Sequence, residues 1–294
     1  MFVFSNFFRD TYKRRHRPRT EETMETAKRI VAPLAAAAFA VAVTVNALAN
    51  ILPINGVNTG QLSDEIPNLF VPIGLTFAIW GLIYLLLLAY SGAVLAAGFK
   101  KGGLAGWTAL DGLVFIANML ANSAWILAWH YRQVGLSLAI MAVILGSLIW
   151  LEERAFARPA AGAAWPERLG AWALTVPVNV YLGWIAVAAI ANVTALLVTA
   201  GWDGYPLDPR VWTVVAVAAG AAVALGLVFR RRAVAAPLVV VWAYAGIVMK
   251  RLATDADYSA PVWIAALAAA VLVGGAALGA AAWRLRLARP NPGR

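Results

Sequence analysis

The chain of 294 residues contains no cysteine. Disulfides, thiolate metal sites and cysteine nucleophiles are therefore excluded together. Histidine is almost absent: His16 lies in a basic tail and His130 at the end of an apolar run, and such a pair makes no metal cluster. Charge is scarce, at 13% of residues, and no phosphate-cradling loop, serine elbow or zinc motif occurs. No catalytic residue stands out and no cofactor is required, so a binding protein is favoured over an enzyme.

What is present is apolar. Hydrophobic residues make up 62% of the chain and the mean hydropathy is +0.75, beyond what a soluble domain with an ordinary polar surface carries. Runs of about 20 apolar residues recur, each long enough to cross a hydrocarbon core of about 30 Å. Spans in lipid must satisfy their own backbone hydrogen bonds, and the alternation expected of a membrane barrel is missing. The chain is therefore read as an all-α integral membrane protein in the lipid bilayer, with about eight transmembrane helices: 30–52, 72–97, 107–129, 134–151, 169–198, 211–229, 233–249 and 262–283. The seventh is the weakest, being short and holding Pro237.

A net charge of +10 invites a nucleic-acid reading, but the placement of the charges argues against it. Of the 24 Lys and Arg, 20 fall before the first span, after the eighth, or in alternate loops. This bias is the positive-inside rule and puts both termini in the cytoplasm. Lys250 and Arg251, on the other side, are the local exception. Alanine- and arginine-rich usage points to a bacterial plasma membrane. The first thirty residues mix Phe2, Phe4, Phe7 and Phe8 with Lys13, Arg14, Arg15, Arg17 and Arg19, a tail that fixes orientation or rests on an anionic surface. Ala47-Leu48-Ala49 resembles a leader cleavage site, but the preceding run exceeds a leader's usual apolar length.

Polar residues inside spans are costly in hydrocarbon unless turned inward, so they mark candidate sites. In the third span Asp111, Asn118, Asn122, Trp125 and Trp129 stand 7, 4, 3 and 4 residues apart and share one stripe of a helix. Phe77, Trp80 and Tyr84 make a second stripe, and Tyr181, Trp184, Ala188 and Asn192 a third. Amides and indoles together suit a flat, partly polar ligand. The alternative is structural: intramembrane Asn often bonds between helices, and Trp often forms the interfacial belt.

The segment from Pro67 through Pro72, Phe77 and Trp80 to Tyr84 resembles the hallmark of the tryptophan-rich sensory protein family, also called the translocator protein or peripheral benzodiazepine receptor family. Asn122-Ser-Ala-Trp125 is similar to its third-helix Asn-x-x-Trp, and Trp184 to Asn192 to its fifth-helix pair. The resemblance covers residues 30–198. It implies a five-helix translocator-protein-like bundle that binds porphyrins, other tetrapyrroles or sterols in a pocket closed by the loop between helices one and two, here 53–71. The stripes and the resemblance together give as candidate ligand-binding residues Trp80, Tyr84, Asn118, Asn122, Trp125, Trp129, Tyr181, Trp184 and Asn192, with Pro67, Phe70 and Pro72 in the lid. Departures are Leu69 and Phe70 where many members have Trp, a displaced Pro177, and three spans beyond the usual five.

The expected organisation is a basic tail (1–29), the five-helix bundle (30–198), three added helices (199–283) and a second basic tail (284–294). The added helices are assigned to packing. Gly275 and Gly279, at G-x-x-x-G spacing, fit internal packing or a homodimer. Trp242 and Tyr244 are candidates to extend the aromatic lining. Three functional classes follow: a sensor of porphyrin-like hydrophobic small molecules, a transporter with Asp111 as a proton-coupled group, or a light-dependent porphyrin-degrading enzyme. The first is favoured.

Overall fold

The computed structural model describes residues 19–99, 106–156 and 165–287. Most of the basic tails, with the Phe-rich segment, therefore lies outside the described residues, as do Lys100, Lys101 and Arg158. Among the described residues the chain is all helical, with nine α-helices. They are α1 (Arg19–Ile51), α2 (Thr59–Glu65), α3 (Ile79–Phe99), α4 (Ala109–His130), α5 (Val134–Phe156), α6 (Trp165–Thr199), α7 (Pro209–Arg231), α8 (Ala235–Thr254) and α9 (Ala260–Leu287). All but α2 belong to the eight segments long and apolar enough to cross a membrane.

The ends of these helices follow local chemistry. Thr108 and Asp111 form a reciprocal capping box that starts α4, and Asp208 caps α7 with Pro209 behind it. Pro237, which weakened the seventh predicted span, sits in the first turn of α8, where its missing N–H leaves no hydrogen bond broken. The span then runs to Thr254, five residues beyond the sequence-based end. α1 begins eleven residues before the apolar run, because its charged first turns continue the helix.

α1, α3, α6, α5 and α4 pack in that order into a closed ring of five. α8 lies on the outside of α6, and α9 packs on α8 and α7 as a second layer. α6 and α8 touch closely at Gly183, where a methyl group would lie 2.5 Å from the carbonyl oxygen of Ala236. Small residues permit such close approach, a common device where lipid supplies no hydrophobic drive. Gly275 and Gly279 are not used this way. Both are exposed on α9, and among the described residues nothing lies within 4 Å of where a methyl group would stand, so they do not serve packing against those residues.

Eight spans place the start of α1 and the end of α9 on one face. That face is linked by Arg154 to Asp111 at 3.1 Å, by Arg231 to Glu153, and by Arg232 stacked 4.9 Å over Trp283. On the opposite face every Lys or Arg among the described residues has a carboxylate: Arg132 with Glu65, Arg210 with Asp208, Lys250 with Asp64, and Arg251 with Asp255. Lys250 and Arg251, the exception in the charge pattern, are thus neutralised where they stand.

Candidate ligand-binding site

The segment between α1 and α3 crosses the mouth of the ring. The sequence reads it as a loop, but it contains a helix: Asn58 accepts from Gln61 N at 2.9 Å while Gln61 Oε1 accepts from Asn58 N, which starts α2. Before it, Asn55 (φ 58°) and Gly56 (φ 80°) turn the chain. The segment is held at several points. Asn50 Oδ1 accepts from Thr59 N and Oγ1 at 3.2 and 3.0 Å, and Asn55 Nδ2 donates to His130 O at 3.0 Å. Glu65 pairs with Arg132 and Asp64 with Lys250 of α8. At its far end Ile73 N donates to Gly246 O of α8 at 3.0 Å, and Trp242 Nε1 donates to Thr76 O at 3.0 Å.

Beneath this lid, Trp80 lies at the centre of an aromatic cluster. Its ring stacks on Tyr84 (5.5 Å) and lies 6.5 Å from Trp125, 5.8 Å from Tyr181 and 6.3 Å from Trp184. Trp125 continues the series to Trp129 at 5.9 Å. Two spaces flank this cluster. One, about 50 Å³, is lined by Trp80, Trp125, Trp129, Trp184, Asn192 and Pro72 among others; the second, about 400 Å³, by Asn46, Asn50, Gln61, Trp80 and Tyr84 among others. Trp80, Phe77 and Thr59 belong to both walls. The indole N–H groups of Trp125 and Trp184 and the hydroxyl of Tyr84 are buried without a partner among the described residues. Trp129 points its N–H at Thr59 O, 3.5 Å away.

The asparagines divide. Asn122 joins three helices: Asn46 Nδ2 donates to its Oδ1 at 2.8 Å, and its own Nδ2 donates to Tyr181 Oη at 2.6 Å. Asn192 accepts from Ser137 Oγ of α5 at 3.0 Å while still bordering the smaller space. Asn118 does not face the cluster. Its amide donates to Ser147 Oγ at 2.7 Å and Ile144 O at 3.2 Å on α5, so its role is an interhelical bond. Asp111 is likewise a capping and ion-pairing group on the basic face. Pro72 reaches the aromatic space, whereas Pro67 and Phe70 turn toward α6, α7 and α8.

Asn46 and Asn50 belong to this site and were absent from the sequence-based set. The cue was available: both interrupt an apolar span, as Asn122 does. Trp242 and Tyr244 do not border the aromatic spaces. Trp242 anchors the lid end, and Tyr244 donates to Val217 O of α7 at 2.6 Å.

A family model described as TSPO-like protein matches residues 32–279. The chain belongs to the TSPO-like protein family. The match runs through all eight spans, so in this family member it extends beyond the five-helix ring into α7, α8 and α9. No curated protein and no solved structure matches the chain.

Proposed function

We propose that the protein is a membrane sensor that binds a flat, hydrophobic, porphyrin-like molecule at the Trp80 cluster beneath the lid. The observation that carries this reading is chemical: two indole donors, Trp125 and Trp184, are buried without partners among the described residues, around one space faced by four tryptophans. Buried donors left unpaired cost about 1–3 kcal/mol each, so a ligand offering acceptor oxygens gains there what a purely apolar ligand does not. Ring faces supply stacking, about 0.5–1.5 kcal/mol per aromatic pair beyond area burial.

Size sets a condition. Pockets for drug-sized ligands measure roughly 300–1,000 Å³, and the tryptophan-lined space is about 50 Å³. A macrocycle enters only if Trp80 or the lid moves so that this space merges with its neighbour of about 400 Å³. Binding is therefore coupled to lid position, which is what a sensor needs. The basic face is assigned to the cytoplasm by the charge bias, and the lid to the opposite side.

Titration of the purified protein with protoporphyrin, read by tryptophan fluorescence, tests the reading. Saturable quenching is expected, with Trp125→Phe and Asn122→Ala each weakening affinity about tenfold, or about 1.4 kcal/mol. Unchanged affinity in both variants would sink the assignment. Counterflow in proteoliposomes separates a transporter from a sensor, which should give none.

A further inference from the structure

A larger space lies elsewhere among the described residues. A cavity of about 1010 Å³ opens between α6, α7 and α8 on the lid face, floored by the lid residues Pro67 to Phe70. We propose that it holds a membrane phospholipid with a zwitterionic head that carries a primary ammonium. The cavity is a separate space from the tryptophan-lined one, and α6, α7 and α8 wall it.

Its walls are apolar where they meet the bilayer. Val193 and Leu197 of α6 face Val215 and Ala216 of α7 across the cleft. Val193 and Val215 are 42% and 52% exposed, so the wall runs without a break into the lipid-facing surface of two spanning helices. An acyl chain can enter sideways from the membrane; a water-soluble ligand gains nothing from such a wall.

The polar end lies at the ends of the spans and is asymmetric. Lys250 is paired with Asp64. Arg251 is 6% exposed and gives Nη1 to Asp255 Oδ2 at 3.0 Å, but its Nε is buried with no partner among the described residues. An arginine donor in that position calls for an oxyanion, and phosphate oxygens meet it with charge-assisted bonds. Asp203 is the reverse case. It is exposed, accepts only the N–H of Tyr205 at 3.0 Å, and has no cationic partner among the described residues. One guanidinium N–H lacking an acceptor, on an arginine already paired with Asp255, and one acid lacking a cation, both on the wall of one cavity, match a phosphate and an ammonium on one molecule. A purely anionic head would satisfy Arg251 and be repelled by Asp203.

Native mass spectrometry of the delipidated full chain in detergent tests this, with phosphatidylethanolamine, phosphatidylglycerol and oleate titrated separately. One molecule of phosphatidylethanolamine should be retained at about tenfold lower concentration than either other lipid. Arg251→Gln should lower that retention about tenfold, and Asp203→Asn should abolish the preference over phosphatidylglycerol. Ala216→Trp, which fills the apolar wall without touching a charge, should lower retention of every lipid while helical content and Tm stay unchanged. Equal retention of phosphatidylglycerol or oleate by the native chain overturns the zwitterionic assignment. Undiminished binding in both Arg251→Gln and Ala216→Trp overturns the site. No porphyrin enters these titrations, so their outcome is separate from that of the quenching experiment.

Discussion

Asn122 bonds to α1 and α6 while belonging to α4, and it is the residue on which the ring is joined at mid-depth. Polar contacts between membrane helices contribute about 0.6 kcal/mol on average and at most about 1.7 kcal/mol. A double-mutant cycle of Asn46→Ala and Asn122→Ala, read by unfolding in bicelles, should give a coupling in that range; additive losses would remove the pair as a contact. Gly246 is more sensitive. A methyl group there would lie 2.0 Å from Thr76 Oγ1 and 3.0 Å from Pro72 Cβ. Gly246→Ala is expected to lower stability by about 1–3 kcal/mol, as overpacking does, and to loosen the lid end, seen as a drop in Tm. That an amide in an apolar run faces inward is legible from the sequence. Which neighbour it meets is not: Asn118 and Asn122 share a stripe, yet four residues advance a helix by about 40° and about 6 Å, enough to point them at different helices.

At the level of elements, the eight spans were readable because length and hydropathy alone define them. α2 was not, since a seven-residue polar helix has no apolar periodicity; its only signature is the capping box Asn58-x-x-Gln61. The dependence of the lid on α8 was equally hidden, because an ion pair between Asp64 and Lys250 spans 186 residues. Lys250→Gln should therefore speed amide hydrogen exchange in 59–65 with little change in α4; protection unchanged from the native chain would show that the pair does not hold the lid. The start of α7 gives a pH test. Side-chain hydrogen bonds from Arg210 hold the Asp208 carboxyl down at about 2. Its ordinary value is about 3.9, so the cap's contribution is complete above that and fades as pH falls through about 2. Exchange protection of the first turn of α7 should persist at pH 4 and weaken only toward pH 2; loss already at pH 4 would contradict the pairing.

For the molecule as a whole, the absence of cysteine makes any engineered thiol the sole target for labelling. Gln61→Cys on the lid should react with a membrane-impermeant maleimide on intact cells, and Leu285→Cys only after permeabilisation. The reverse pattern would invert the topology drawn from charge bias. The count of eight spans was visible in the sequence, whereas the work of α8 was not. It abuts the ring through Gly183, holds the lid at Gly246, and walls a cavity that no periodicity reveals.

Ile66 borders the tryptophan-lined space, the large cavity beside α7, and a third space of about 490 Å³ near Arg132. One side chain thus stands in three compartments, and whatever occupies one of them acts on the volume of the others. Thermodynamic reciprocity makes the coupling symmetric: if a phospholipid beside α7 changes porphyrin affinity by some factor, porphyrin changes phospholipid affinity by the same factor. Membrane composition would then be an input to the proposed sensor on equal terms with its proposed ligand.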